Sequence, residues 1–233
     1  MNEETRPDAE AVAGRAAQVI ADCARQAVAA RGQFLLALSG GATPRRMMRA
    51  LADERVPWPQ VHLFQVDERV APDGHPDRNL THLDTSLLRH LETPPAAVHA
   101  MPVTARDLAS AAARYAGTLR AVAGDPPVLD LVHLGLGEDG HTASLFPDDD
   151  STERDDADIA VTAPYAGVRR MTMTGGVINR ARALVWVVTG SAKGPALARL
   201  RAGDPRILAG RIQRHSALVI TDEAADAAAR ATA

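Results

Sequence analysis

Asp139 and His141 stand two residues apart at the end of a glycine loop, Gly135-Leu136-Gly137-Glu138-Asp139-Gly140. A carboxylate beside an imidazole suits proton transfer: the carboxylate fixes the tautomer, and the other ring nitrogen accepts or returns a proton. Two further readings fit the same residues. One is a dinucleotide loop, since the segment matches G-x-G-x-x-G after a strand. Against it, Glu138 and Asp139 bring negative charge to the place where a pyrophosphate needs bare backbone N–H groups. The other is structural, with the glycines permitting a tight turn and His141 capping or packing. The catalytic reading is favoured because other parts of the chain supply a matching substrate site.

Three other stretches carry that site. Ser39-Gly40-Gly41-Ala42-Thr43-Pro44 joins a short apolar strand to a helix, with Thr43 expected at the N-cap and Pro44 at the first helical position. A strand, a glycine turn and a helix N-terminus together present backbone N–H groups to an anion. Asp67-Glu68-Arg69 closes a second strand, where ionisable residues are either site residues or a solvated turn. Gly190-Ser191-Ala192-Lys193-Gly194 follows a third, and Lys193 is the only lysine in the chain. An ammonium is not interchangeable with a guanidinium at a tight site. With the 137–141 loop, these make four strand ends, which a parallel sheet places on one edge. They offer an anion cradle, two basic residues, a carboxylate and an imidazole, a set that suits a small phosphorylated substrate.

The elements that must position these residues follow from periodicity. Asp8 to Arg31 has helical spacing and ends at Gly32. Phe34–Leu38, Val61–Val66, the run from Leu129 to Leu136, Ala183–Thr189 and Ala217–Thr221 read as buried strands. Asn79–Leu91, Arg106–Ala123, Pro195–Arg201 and Glu223–Ala231 read as helices, and Gly175–Ala181 as a short helix or turn. Thr142–Phe146 is expected to open a short helix that Pro147 stops. Ile159–Ala163 and Arg170–Thr174 alternate enough to be strands, antiparallel at the sheet edge. The acidic run 148–158 reads as a solvated loop. With no internal repeat and no long linker, the expectation is a single α/β domain over 1–233, a three-layer α/β/α sandwich with a mostly parallel, Rossmann-like sheet.

Composition narrows the function. The chain has 233 residues, 46% hydrophobic and 3% aromatic, which predicts a core of Ala, Leu and Val. A net charge of −3 gives no basis for nucleic acid or an anionic membrane as partner. The single cysteine, Cys23, excludes an intrachain disulfide framework and a multi-cysteine metal site. The eight histidines show no metal spacing, and no H-E-x-x-H or C-x-x-C occurs, so no metal is expected. No apolar run approaches the ~20 residues of a membrane span. The stretch MNEETRPDAEAV has neither a basic n-region nor an apolar h-region, which predicts a soluble cytoplasmic protein. A serine nucleophile is disfavoured: Ser39 lacks the G-x-S-x-G elbow, and Ser144 has no evident oxyanion loop.

SGGATP at 39–44, VDER at 66–69, GLGEDGHTASLFP at 135–147, RRMTMT at 169–174 and VTGSAKGPAL at 188–197 resemble, in the same order, the 6-phosphogluconolactonase family. The wider superfamily also holds glucosamine-6-phosphate deaminases, whose D-G-H motif runs on toward F-N-E-P. Here Thr-Ala-Ser-Leu-Phe-Pro follows, which favours the lactonase. The resemblance implies hydrolysis of 6-phospho-D-glucono-1,5-lactone to 6-phosphogluconate in the oxidative pentose phosphate pathway, without a cofactor, by a monomer or homodimer. It implies that His141 is the general base and that Asp139 orients it. The amides of Ser39, Gly40, Gly41, Ala42 and Thr43, with Lys193 and Arg69, would hold the 6-phosphate; Arg69 has an alternative role at the developing oxyanion. Asp67 and Asn79 fall on the substrate side. Two departures stand out. Ala42 replaces a hydroxyl frequent in the family, and Asp77-Arg78-Asn79 stands where D-S-N is common, so that Arg78 is expected either near the sugar phosphate or in solvent. The alternatives are a deaminase-like enzyme using Asp67 and His141, and a sugar-phosphate binder without turnover.

Overall fold

A computed structural model describes residues 1–146, 149 and 157–232. In chain order its elements are β1 (Asn2–Arg6), α1 (Ala9–Arg31), β2 (Phe34–Leu38), α2 (Ala42–Ala52), β3 (Val61–Gln65), β4 (Asp67–Arg69), α3 (Asn79–Ser86), β5 (Ala97–His99) and α4 (Leu108–Ala123). They continue with β6 (Leu131–Leu134), β7 (Ile159–Val161), β8 (Arg170–Met173), α5 (Gly175–Arg180), β9 (Ala183–Val188), α6 (Gly194–Ala202), β10 (Ala217–Asp222) and α7 (Glu223–Thr232). Seven strands form one sheet in the order β1-β10-β9-β6-β2-β3-β5, with every neighbouring pair parallel.

The strands are apolar almost throughout because both faces of the sheet are covered. Successive side chains point to opposite faces. Thus Phe34, Leu36 and Leu38 join one core with α1, α2 and α3, while Leu35 and Ala37 join another with α4, α5, α6 and α7. This is the three-layer α/β/α sandwich expected. Helix α1 starts where the Asp8 carboxylate accepts from the amides of Glu10 and Ala11, and it stops at Gly32 in the left-handed conformation.

The chain runs outward from β2 through β3 to β5, then returns to place β6 on the other side of β2. The strand order therefore reverses between β2 and β6. At such a point the two following loops part, leaving a crevice at the carboxyl ends of the strands.

Several expectations need correction. The segment Asp67–Arg69, expected to close its strand as site residues or a solvated turn, is instead β4 of a separate sheet, ordered β4-β8-β7 and antiparallel. That sheet branches off at Val66, whose N–H donates to Leu38 while its carbonyl accepts from Met173. Accordingly β7 and β8 are antiparallel but do not edge the main sheet. Residues 142–145 form an isolated bridge between Thr142 and Leu145, not a helix. The polar N-terminal segment is a strand, β1, paired with β10 along the outer edge. In the acidic run, Asp149 and Asp158 are buried, not solvated. Asp158 accepts from Arg120 at 2.7 Å and Arg180 at 2.5 Å, and Asp149 from the Ala163 amide at 3.0 Å. The remaining acidic residues of that run lie outside the described residues.

Candidate active site

The loop after β2 delivers Ser39 and Gly40, and α2 begins immediately, with Gly41 at its N-cap and no side-chain cap bond. The first-turn amides of α2 are left to meet a ligand. Thr43 is not the cap. It lies inside the first turn, where its hydroxyl meets that of Thr189 at 2.7 Å and ties the helix start to the end of β9. Ser39 is buried, and its hydroxyl makes no hydrogen bond among the described residues. Gly40 has no room for a side chain, since a Cβ there would lie 1.9 Å from Asn79 Oδ1.

Strand β4 supplies the next group. The buried Asp67 carboxylate accepts from Ser144 Oγ at 2.7 Å, and its backbone carbonyl accepts from Asn79 Nδ2 at 2.9 Å. Burial pushes the Asp67 carboxyl up from its ordinary pKa, against the pull of Ser144 and Arg69. Arg69 Nη1 donates to the Asp77 carbonyl at 2.8 Å and to Asn79 Oδ1 at 3.2 Å. Glu68 points away, fully buried. It accepts from Gln65 Nε2 and from the amides of Arg69, Asn79 and Leu80, all within 2.9 Å, so it holds the start of α3. The Arg78 guanidinium lies 2.9 Å from Glu68. Arg78 is therefore neither at the phosphate nor in solvent: it is buried structural charge.

The loop after β6 carries the pair. His141 Nδ1 and Asp139 Oδ1 are 2.6 Å apart, and the His141 amide donates to the same oxygen at 3.1 Å. With Nδ1–H committed to a carboxylate, Nε2 is the nitrogen left to act as a base. The loop folds tightly because the Gly137 amide donates to the His141 carbonyl at 2.8 Å. A Cβ on Gly137 would fall 2.2 Å from His141 Nδ1, so the imidazole occupies space that any side chain would fill. Burial opposes ionisation of Asp139. The His141 amide, the imidazole and the Tyr165 hydroxyl outweigh it and hold the carboxyl below its usual range. Ser144, engaged by Asp67 and fully buried, is no nucleophile.

Ser39, Gly40, Gly41, Asp67, Arg69, Asn79, His141 and Lys193 line one cleft of about 260 Å³ at the strand-order reversal. Asp139 stands behind His141. Ala42 and Thr43 do not line the cleft. Lys193 projects from the turn after β9, its Nζ 3.7 Å from Glu138 Oε1. Two lining residues were missed by reading the sequence: Tyr165, from the β7–β8 turn, and Arg170, at the start of β8. Burial, and then neighbouring Arg69, push the Arg170 guanidinium pKa down, as expected of two cations sharing a small space. Among the described residues three cations thus border the cleft, against the single carboxylate of Asp67 in its lining, a balance that suits an anion. Among the described residues no group of three or more His, Cys, Asp or Glu is arranged to hold a metal ion. No helix among them is long and apolar enough to cross a membrane.

A family model described as glucosamine-6-phosphate isomerases/6-phosphogluconolactonase matches residues 7–221. The chain is 37% identical over 203 residues to a 6-phosphogluconolactonase of Nostoc sp. (strain PCC 7120), covering 85% of this chain and 84% of that one. It is 41% identical over 187 residues to the 6-phosphogluconolactonase of Synechocystis sp. (strain PCC 6803), covering 78% of each. In three dimensions it is similar to the crystal structure of 6-phosphogluconolactonase from Thermotoga maritima, with a TM-score of 0.85 over 95% of this chain and 98% of that one. At 22% identity the last likeness is one of fold.

Proposed function

The chain belongs to the glucosamine-6-phosphate isomerase/6-phosphogluconolactonase family, and we propose that it hydrolyses 6-phospho-D-glucono-1,5-lactone to 6-phosphogluconate as a single cytoplasmic domain, monomeric or homodimeric. His141 Nε2 takes a proton from water as the oxygen adds to the lactone carbonyl. The resulting imidazolium, stabilised by Asp139, returns that proton to the ring oxygen as the C–O bond breaks. The amides of Gly40 and Gly41, which lead into α2 and line the cleft, hold the 6-phosphate with Lys193. Arg69 and Arg170 add positive charge for the phosphate and for the oxyanion that develops at the carbonyl. No cofactor is needed for these steps, because base, orienting carboxylate and cations all come from the chain.

The observation that carries this reading is the Asp139–His141 bond of 2.6 Å at the wall of a cleft bordered by three cations. The test is a lactonase assay by acid release on freshly generated substrate, run fresh because such lactones also open spontaneously. Acid release well above the uncatalysed rate is expected. Ammonia release from glucosamine 6-phosphate instead would assign the cleft to the family's other chemistry, and binding without either product would leave a sensor.

A further inference from the structure

Tyr165 has no role in the mechanism above, yet it reaches into the catalytic pair. Its hydroxyl donates to Asp139 Oδ2 at 2.9 Å, while Oδ1 of the same carboxylate takes His141 Nδ1 and the His141 amide. With both oxygens engaged, the carboxylate has one orientation. Without the phenol, Oδ2 would face water and the group would be free to turn about its Cβ–Cγ bond.

The phenol is itself held on three sides. Its ring lies flat on Phe146, with centroids 3.8 Å apart and planes within 3°. The Arg170 guanidinium lies 5.4 Å from its centroid and 4.7 Å from that of Phe146. The backbone is fixed by a two-residue turn, Ala166-Gly167, closed by paired bonds between Tyr165 and Val168. Both turn residues have positive φ, the geometry that matches strand twist in a tight hairpin. Asp139 in turn raises the pKa of the phenol, which keeps it a donor.

We propose that Tyr165 is a positioning residue for lactone hydrolysis: from the β7–β8 turn it locks Asp139 in the orientation that presents His141 Nε2 to the cleft. The inference rests on the catalytic reading of Asp139 and His141. Tyr165 acts through Asp139, so its removal lowers turnover, not substrate affinity.

The test compares Tyr165→Phe, Asp139→Asn and the double variant, all as full chains. Tyr165→Phe keeps the ring stack and loses only the hydroxyl. A misplaced catalytic group costs up to roughly 10²-fold, so kcat is expected to fall about 10-fold with KM within about twofold. Added to Asp139→Asn, the same change should cost less than about twofold, because residues acting through one another are not additive. A rise in KM with unchanged kcat would make Tyr165 a substrate ligand and overturn the proposal, as would an unchanged rate or an equal loss in both backgrounds. If Asp139→Asn is impaired and Tyr165→Phe is not, the Tyr165 role alone fails. If Asp139→Asn keeps wild-type turnover, the catalytic reading falls and this inference with it.

Discussion

Glu68 and Arg78 form a buried ion pair, 2.9 Å apart with side chains 0% and 3% exposed, directly behind the residues that line the cleft. Glu68 also receives the amides of Asn79 and Leu80 at the start of α3. Breaking a buried pair by removing one partner costs about 3–5 kcal/mol; without Glu68 the buried Arg78 would be left to the exposed Asp73 carboxylate, 3.0 Å from its Nη1. Glu68→Ala is expected to lose that much by urea denaturation. A loss below about 1 kcal/mol would show that the pair contributes little.

In the proposed mechanism His141 is the base that activates water. A positioned base supplies about 10²–10⁴-fold, so His141→Ala should lower kcat by that range while the urea midpoint stays near wild type. A variant turning over at close to the native rate would remove His141 from the mechanism.

In the proposed mechanism Lys193, which lines the cleft, meets a phosphate that does not change during the reaction. Lys193→Ala should therefore raise KM more than it lowers kcat, the pattern of lost ground-state binding. Steady-state kinetics across substrate concentration decide it; a loss confined to kcat points to the transition state instead.

His133 is fully buried in β6, and neither ring nitrogen is hydrogen-bonded among the described residues. Burial pushes its pKa from the ordinary 6.5 down to about 3. The unfolded imidazole takes a proton near pH 6.5 and the folded one only near pH 3. Stability therefore falls as pH drops through that window, by up to about 1.4 kcal/mol per pH unit from this group. His133→Leu removes the effect, and its stability advantage over wild type should grow by about 2 kcal/mol between pH 7 and pH 5. Equal differences at both pH values would mean that His133 binds its proton in the folded chain as readily as in the unfolded one.

Much of this site was legible in the sequence because its parts end strongly apolar strands. The apolar run Phe34–Leu38 coincides with β2, and the Gly32 stop of α1 is visible as a cap residue, whereas Asp8, expected as the first helical residue, is the N-cap. Strand β4 was not legible: three charged residues show no period, and their partners, Arg170, Met171 and Thr172, lie far along the chain. The edge strand β1 is polar because only one side of it is paired and its outer side faces water. Thr43 looked like a cap, but Gly41 takes that place, and the threonine hydroxyl goes to Thr189. Tyr165 was hidden for another reason. An isolated aromatic among Ala, Pro and Gly reads as a turn, and nothing local announces a carboxylate 26 positions earlier.

The branching of the backbone at Val66 has a consequence for how such a cleft can diversify. One wall, with the helix start and Lys193, is inherited from the parallel sheet; the other, with Arg69, Arg170 and Tyr165, belongs to a small antiparallel layer whose Met171 and Met173 pack into the large sheet's core while the hairpin tip stands clear of it. On the proposed reading, substitutions at Tyr165 retune turnover while the cations that capture the anion, Arg69 and Arg170 included, stay in place. The two properties are thus separately adjustable, by evolution or by an engineer.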